Sequence, residues 1–231
     1  MVGSTLSPAF ASGSRNSFSA PKKSIGLQTY SLGKELTDDV PGGIKKVAEI
    51  GYSTIEPAGY RERKMYGFDM TEFRKMAEGV GLKVTGSHVN PPVRKYSKEN
   101  MAEIADFWKA TVEDHVKCGV KSIVQPGMPT IDNHTDAALV CAVFNKAGEI
   151  AKSAGIRWGY HNHSGEFKRI VKEGESGKGD VVYDLMLNGT DPKLVFFEMD
   201  VYWTVMGQND PLEYFEKYAG RFPILHIKDR S

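Results

Sequence analysis

The stretch Gly155-Ile-Arg-Trp-Gly-Tyr-His161 reads as a junction: a glycine, a short strand-like run, then a histidine. Glycine suits the left-handed position that follows a helix, so the run after it is a strand entered from a helix. The same junction recurs along the chain. Gly51-YSTIE ends at Glu56, Gly81-LKVTGSH at His88, Gly119-VKSIVQ at Gln125, and Gly220-RFPILH at His226. Lys193-LVFFEMD lacks the glycine but closes at Glu198 and Asp200, and the first strand, Ile25-GLQTYS, carries Gln28. Between these runs lie longer segments of helical period. Ile104, Phe107, Trp108, Thr111, Val112 and Val116 share one face, and Leu139, Val140, Val143, Phe144, Ala147, Ile150 and Ala151 share another. Pro41 stands where a helix start needs no backbone N–H.

Strands alternating with helices predict an α/β fold with a parallel sheet, built from a repeat of about thirty-odd residues. Seven strands are legible, and nearly every one ends in an acid, imidazole or amide. An open doubly wound sheet has no need of functional groups on so many strands, and no G-x-G-x-x-G follows the first. A TIM (β/α)8-type barrel gathers all its strand ends on one face, where its active site lies. The expectation is therefore such a barrel over 24–231, truncated after the seventh strand.

The 231 residues suffice for one buried domain. With 30 basic and 29 acidic residues there is no electrostatic footprint for nucleic acid, and no run is apolar enough for a membrane span. Cys118 and Cys141 match no metal spacing and read as buried thiols. The first 23 residues, rich in Ser, Gly, Ala and Pro, read as a disordered leader. Within it, Ala9-Phe10-Ala11 has the small-residue character of an export-signal cleavage site, though the apolar stretch of a signal is missing. An exported or periplasmic location follows if this is a signal remnant, and a cytoplasmic one if it is a tail.

Alternation decides which strand-end residues can share a site. His161 and His163 point one way, Glu198 and Asp200 one way, His226 and Lys228 one way. His161, Asp200 and His226, from three neighbouring strands, make a plausible partial metal shell. Glu56, His88, His163, Glu198 and Lys228 are the candidates for proton transfer. Gln28, Tyr30, Gln125, Asn162 and Trp203 are candidates for holding substrate, and Tyr60 is a further aromatic that could stack on a sugar. His115, on an apolar helix face, and His134, in a polar segment, read as structural.

From Ser24 to the end the chain resembles the sugar phosphate isomerase/epimerase proteins of the xylose isomerase-like, endonuclease IV-like barrel superfamily. The likeness rests on IGLQTYSLG, KKVAEIGYSTIEPAG, GLKVTGSHV, YHNHSGEF, FFEMDVYW and HIKD together. It implies a divalent ion (Mn, Mg, Zn or Co) on late strand ends and proton transfer beside a carbonyl of a sugar or keto-sugar. Asp200 and His226 match two of the family's ligands. His161 stands where the epimerase branches carry a Glu, and the fourth ligand, a Glu on an eighth strand, falls beyond residue 231. The implied activity is a metal-dependent isomerase or epimerase. Alternatives are a lyase of inosose dehydratase or 3-keto-glycoside type and a non-catalytic sugar-binding barrel. The expected partner is a small carbohydrate, and an unclosed barrel would favour homo-oligomers.

Overall fold

The computed structural model describes residues 25–229; the leader and its Ala9-Phe10-Ala11 stretch lie outside them. Seven parallel strands follow each other around a wall: β1 (Leu27–Gln28), β2 (Thr54–Glu56), β3 (Lys83–Val84), β4 (Ser122–Gln125), β5 (Arg157–His161), β6 (Val195–Asp200) and β7 (Ile224–His226). They pair in chain order as β1-β2-β3 and β4-β5-β6-β7, and a parallel bridge between His88 and Val124 joins the two sets. Among the described residues no strand pairs with the outer edge of β1 or of β7. Two short hairpins, Tyr60–Arg61 with Lys64–Met65 and Arg169–Ile170 with Asp180–Val181, stand outside the wall.

The crossovers are α1 (Val40–Ile50), α2 (Met70–Gly79), α3 (Met101–Cys118), α4 (His134–Ser153) and α5 (Val182–Gly189), with short α6 (Val201–Met206) and α7 (Pro211–Lys217) between β6 and β7. Local chemistry starts and stops them. Asp39 caps α1 by accepting from the Gly42 N–H, with Pro41 in the first turn, and Asp69 and Glu72 form a reciprocal capping box on α2. The five junction glycines, Gly51, Gly81, Gly119, Gly155 and Gly220, all have φ between 77° and 108°, the left-handed conformation that the junction reading requires.

Alternation then sorts each strand into an outer and an inner face. Outward, Trp158, Tyr160 and Phe197 pack beneath the helices; Trp158 meets Trp108 of α3 and Phe144 of α4 edge-on or tilted, and Tyr160 stacks on Phe144. Val116, expected on the buried face of α3, is 45% exposed; the apolar stripe is narrower than the spacing alone implied. Cys118 and Cys141 are buried free thiols. Inward, Gly159 leaves room for the Phe196 ring: a Cβ there would come within 2.6 Å of it. Phe196 so seated, with the Arg157 guanidinium 5.0 Å over its ring, fills the barrel below the strand ends. No helix of the described residues is long and apolar enough to cross a membrane.

His115 and His134 take the structural places expected of them. His134 Nε2 pairs with Asp180 at 2.8 Å. His115 is fully buried against the edge of Tyr60, and its Nδ1 donates to the Thr111 carbonyl at 2.7 Å. Burial pushes its pKa down to about 4. The unfolded chain therefore binds a proton there more readily than the folded one. The stability His115 contributes is complete above pH ~6.5 and is lost as pH falls toward 4. Between pH 7 and pH 5 the loss at this one residue should be about 2 kcal/mol. Urea midpoints at the two pH values should differ less in His115→Leu than in the wild type; an unchanged difference would refute the assignment.

Candidate active site at the strand ends

The inner-face residues at the carboxyl ends of five strands meet in one place. Register explains how. In parallel pairing, opposed residues share a face, and β5–β6 opposes His161 to Glu198 while β6–β7 opposes Asp200 to His226. From the other side, Glu56 of β2 and His88 beyond β3 complete the ring. His88 Nε2 lies 2.7 Å from Glu198 Oε2 and 3.3 Å from Glu56 Oε2. His226 Nε2 lies 2.9 Å from Glu56 Oε2 and 3.3 Å from Glu198 Oε2. His161 Nδ1 lies 3.0 Å from Glu198 Oε2, and its Nε2 is 3.5 Å from Asp200 Oδ2. Glu198 and Asp200 are fully buried, and Glu198 Oε1 has no hydrogen-bond partner among the described residues.

The charges in this cluster are strongly coupled. Burial would raise the Glu56 carboxyl, but the charge of His88 and the hydrogen bonds of His226 and His88 outweigh it and hold Glu56 well below the usual range. Glu198 goes the other way, pushed up by burial and by the neighbouring Glu56. At His88 burial favours the neutral ring, yet Glu56 and Glu198 prevail and push it up to about 10. His161 is held low, chiefly by burial and then by the neighbouring His88 and His226 rings. His163 is also lowered, by burial first and then by Lys228, so its lone pair is free at neutral pH.

At the rim, the His163 ring lies 5.0 Å from that of His161 and 5.6 Å from Trp203. Lys228 Nζ pairs with Asp200 Oδ2 and sits 6.0 Å from the Trp203 ring. Gln28 contacts His88, and Tyr30 is 80% exposed beside it in sequence. Two donor sets can therefore be compared with the expected shell. His88, His161, Glu198 and His226 each offer one donor atom, and these lie within 4.8 Å of one another, a group that could hold a metal ion. It contains the expected His161 and His226, but Glu198 sits where Asp200 was expected, and Asp200 stands beside the group, paired with Lys228.

Three expected substrate contacts lie elsewhere. Gln125 opposes Tyr160 in the β4–β5 register, so it faces the helices; Tyr96 donates to its Oε1 at 3.1 Å and its Nε2 donates to the Gly127 carbonyl. Asn162, one residue past inward His161, also turns outward and is fully buried. Its Oδ1 accepts from the Asp200 N–H and the Tyr183 hydroxyl, and its Nδ2 donates to Thr204 Oγ1. It clamps β5 to the start of α6 and has no group left for a sugar. Tyr60 donates to Asp114 at 2.8 Å, away from the cluster. Glu166, by contrast, is not among the candidates that spacing and alternation single out. It is fully buried, accepts from the Tyr160 hydroxyl and the His163 N–H, and so braces the turn that presents His163. Its only signal in sequence was its place in YHNHSGEF.

A model of the xylose isomerase-like TIM barrel family matches residues 44–231. The structure is similar to a sugar phosphate isomerase/epimerase from Parabacteroides distasonis ATCC 8503, with a TM-score of 0.85 and 48% identity over 93% of this chain and 78% of that one. Among curated proteins, it is 22% identical to the inosose dehydratase of Geobacillus kaustophilus over 84% of this chain, and 28% identical to that of Clostridium botulinum (strain Alaska E43) over 83%. The chain spans 66% of the length of the former and 67% of the latter.

Proposed function

This chain belongs to the xylose isomerase-like TIM barrel family, and on that premise we propose that it moves a proton beside the carbonyl of a sugar or keto-sugar, as a metal-dependent isomerase or epimerase. The observation that carries this reading is the convergence of Glu56, His88, His161, Glu198 and His226 from five strands, with a neutral histidine and a tryptophan at the rim.

The donor set fits a divalent ion of the Mn, Mg, Zn or Co type. It offers imidazole nitrogens and a carboxylate in one inward group, with a buried Glu198 oxygen that no donor among the described residues satisfies. His161, His226 and Glu198 would hold the ion, with Asp200 beside them; when bound it would polarise the substrate carbonyl. The rest belongs to the chain's own groups. The Trp203 face offers a platform for the apolar side of a sugar ring. His163, uncharged at neutral pH and half-buried, takes the carbon-bound proton at its ring nitrogen. Lys228, held by Asp200, directs its ammonium toward substrate oxygen and stabilises the charge that develops there. Ionised Glu56 compensates the positive charge on His88.

Similarity to inosose dehydratases supports a second reading, in which proton removal is followed by loss of water from the neighbouring carbon. One experiment separates them. Keto-sugars and keto-inositols are incubated with the protein and Mn²⁺ in D₂O and followed by NMR and mass spectrometry. Deuterium entering beside the carbonyl with mass otherwise conserved supports the isomerase or epimerase; loss of one water supports the dehydratase. In either case His163→Gln should slow exchange by about 10²–10⁴-fold. Saturable sugar binding with no exchange would replace both with a non-catalytic barrel.

A further inference from the structure

We propose that Asn90 is a substrate-binding residue, a third polar group on the rim of the site, and that its amide donates to a sugar oxygen that takes no part in the reaction. The inference rests on the carbohydrate reading above and begins with a spacing. Three strand ends carry a histidine followed two residues later by a second polar group: His88-Val-Asn90, His161-Asn-His163 and His226-Ile-Lys228. In each triplet the histidine joins the buried cluster. The residue two places on lies on the same face of an extended chain, one step nearer the mouth of the barrel. His163 and Lys228 already stand there, beside Trp203.

The neighbours of Asn90 keep it in this alternation. Val89 lies buried in the hydrophobic core, and its N–H donates to the Val124 carbonyl of β4 at 2.9 Å. Pro91 follows Asn90, and a residue before proline is held in extended conformation. The Asn90 side chain is thus returned to the face of His88, where it is exposed. One end of its amide is already committed. Oδ1 accepts from the Gly127 N–H, just past β4, at 2.7 Å. Residue 127 has to be glycine for this, since a Cβ there would come within 2.4 Å of Asn90 Oδ1. Only the oxygen of an amide accepts from a backbone N–H, so Nδ2 is the other end. It brings two N–H groups and has no partner among the described residues.

The loops around the rim hold this donor in place. Gly127 leads into Met128, whose Sδ lies 3.3 Å from where a Cβ on Gly165 would stand, in the turn after His163. Asn90, Gly127, Met128 and Gly165 thus stitch the segments beyond β3, β4 and β5 into one edge. A donor fixed before the sugar arrives loses little freedom on binding it. It is also neutral, which suits a hydroxyl oxygen and supplies no countercharge for a phosphate. His163 and Lys228, beyond β5 and β7, serve the reacting atoms. Asn90 approaches from β3 and holds the sugar equally before and during the chemical step. Loss of such a contact raises KM and leaves kcat nearly as it was.

D-fructose and 2-keto-myo-inositol serve as probes in the deuterium-exchange assay with Mn²⁺. Asn90→Asp keeps an oxygen for the Gly127 N–H and loses both donor hydrogens. For whichever probe exchanges, it should raise KM about five- to tenfold and change kcat less than threefold. A residue that only braces the loop would leave KM where it was. A second measurement needs no variant. In wild-type protein labelled with ¹⁵N-asparagine, with Zn²⁺ in place of paramagnetic Mn²⁺, the Asn90 side-chain amide resonances should shift saturably as the same sugar is added. An unchanged KM in Asn90→Asp, or an Asn90 amide that ignores a sugar the protein turns over, would overturn the proposal and leave the carbohydrate reading standing. If neither probe binds or exchanges with the wild type, the carbohydrate reading fails and the role of Asn90 fails with it.

Discussion

Replacing Glu198 with Gln is expected to lower turnover by about 10³-fold while raising the melting temperature. The two halves of this result have one cause. Glu198 is fully buried, and burial together with the Glu56 charge lifts its pKa above the ordinary value. Its ionised form is therefore disfavoured by folding, and at neutral pH that penalty weighs on the native state. The Glu198 contribution to wild-type stability should rise as pH falls toward the range in which Glu198 takes up its proton, opposite in sign to that of His115. Gln fills the same volume, carries no charge, and removes both the penalty and this part of the pH dependence. It also removes the anionic oxygen that faces His88, His161 and His226, and with it the donor that would bind a cation most strongly. Thermal melts and the deuterium-exchange assay on the same preparations check both halves. Exchange within tenfold of the wild type would end the role given to Glu198, and a lower melting temperature would end the electrostatic account.

The barrel was legible because its junctions repeat a physical requirement. A helix ending in the left-handed conformation demands glycine, and a strand covered on its outer face demands apolar residues, so five junctions announce themselves in the same way. The inward strand ends were legible by alternation, which placed His161, Glu198 and Asp200, and His226 on shared faces. Alternation failed at Gln125. The four residues of SIVQ are all buried, so nothing in that run reveals its phase; only pairing with β5 puts Gln125 on the helix side. Nothing local distinguishes Asn162 from a substrate contact, because its clamp partners, Tyr183 and Thr204, lie 21 and 42 residues away. The choice between Glu198 and Asp200 as the carboxylate nearest the histidines was equally closed to sequence. Both face inward, and register opposes each to a histidine, Glu198 to His161 and Asp200 to His226; only the side-chain distances, 2.7 Å from Glu198 to His88 and 3.0 Å to His161, decide it.

The wall that holds this register is packed from outside by Trp158, and Trp158→Ala should cost about 3–5 kcal/mol. Trp158 is fully buried three residues before His161, on the outer face of β5. Its indole lies 5.4 Å from that of Trp108 in α3, nearly perpendicular, and 4.7 Å from the Phe144 ring in α4. Truncation removes the contact that joins two crossover helices to the strand carrying the site, and leaves a cavity that neither helix can fill without moving. Against a total stability of roughly 5–15 kcal/mol, such a loss should lower the melting temperature by about 10 °C or leave the variant largely unfolded. Trp158→Phe separates volume from hydrogen bonding. The Trp158 indole N–H has no partner among the described residues, so the smaller ring gives up packing but no hydrogen bond. Its cost should stay near 1–2 kcal/mol, with the site intact and exchange per folded molecule unchanged. If Phe proved as damaging as Ala, the indole N–H would have to be satisfied in solution, and the strand would be held by a polar contact where packing is inferred.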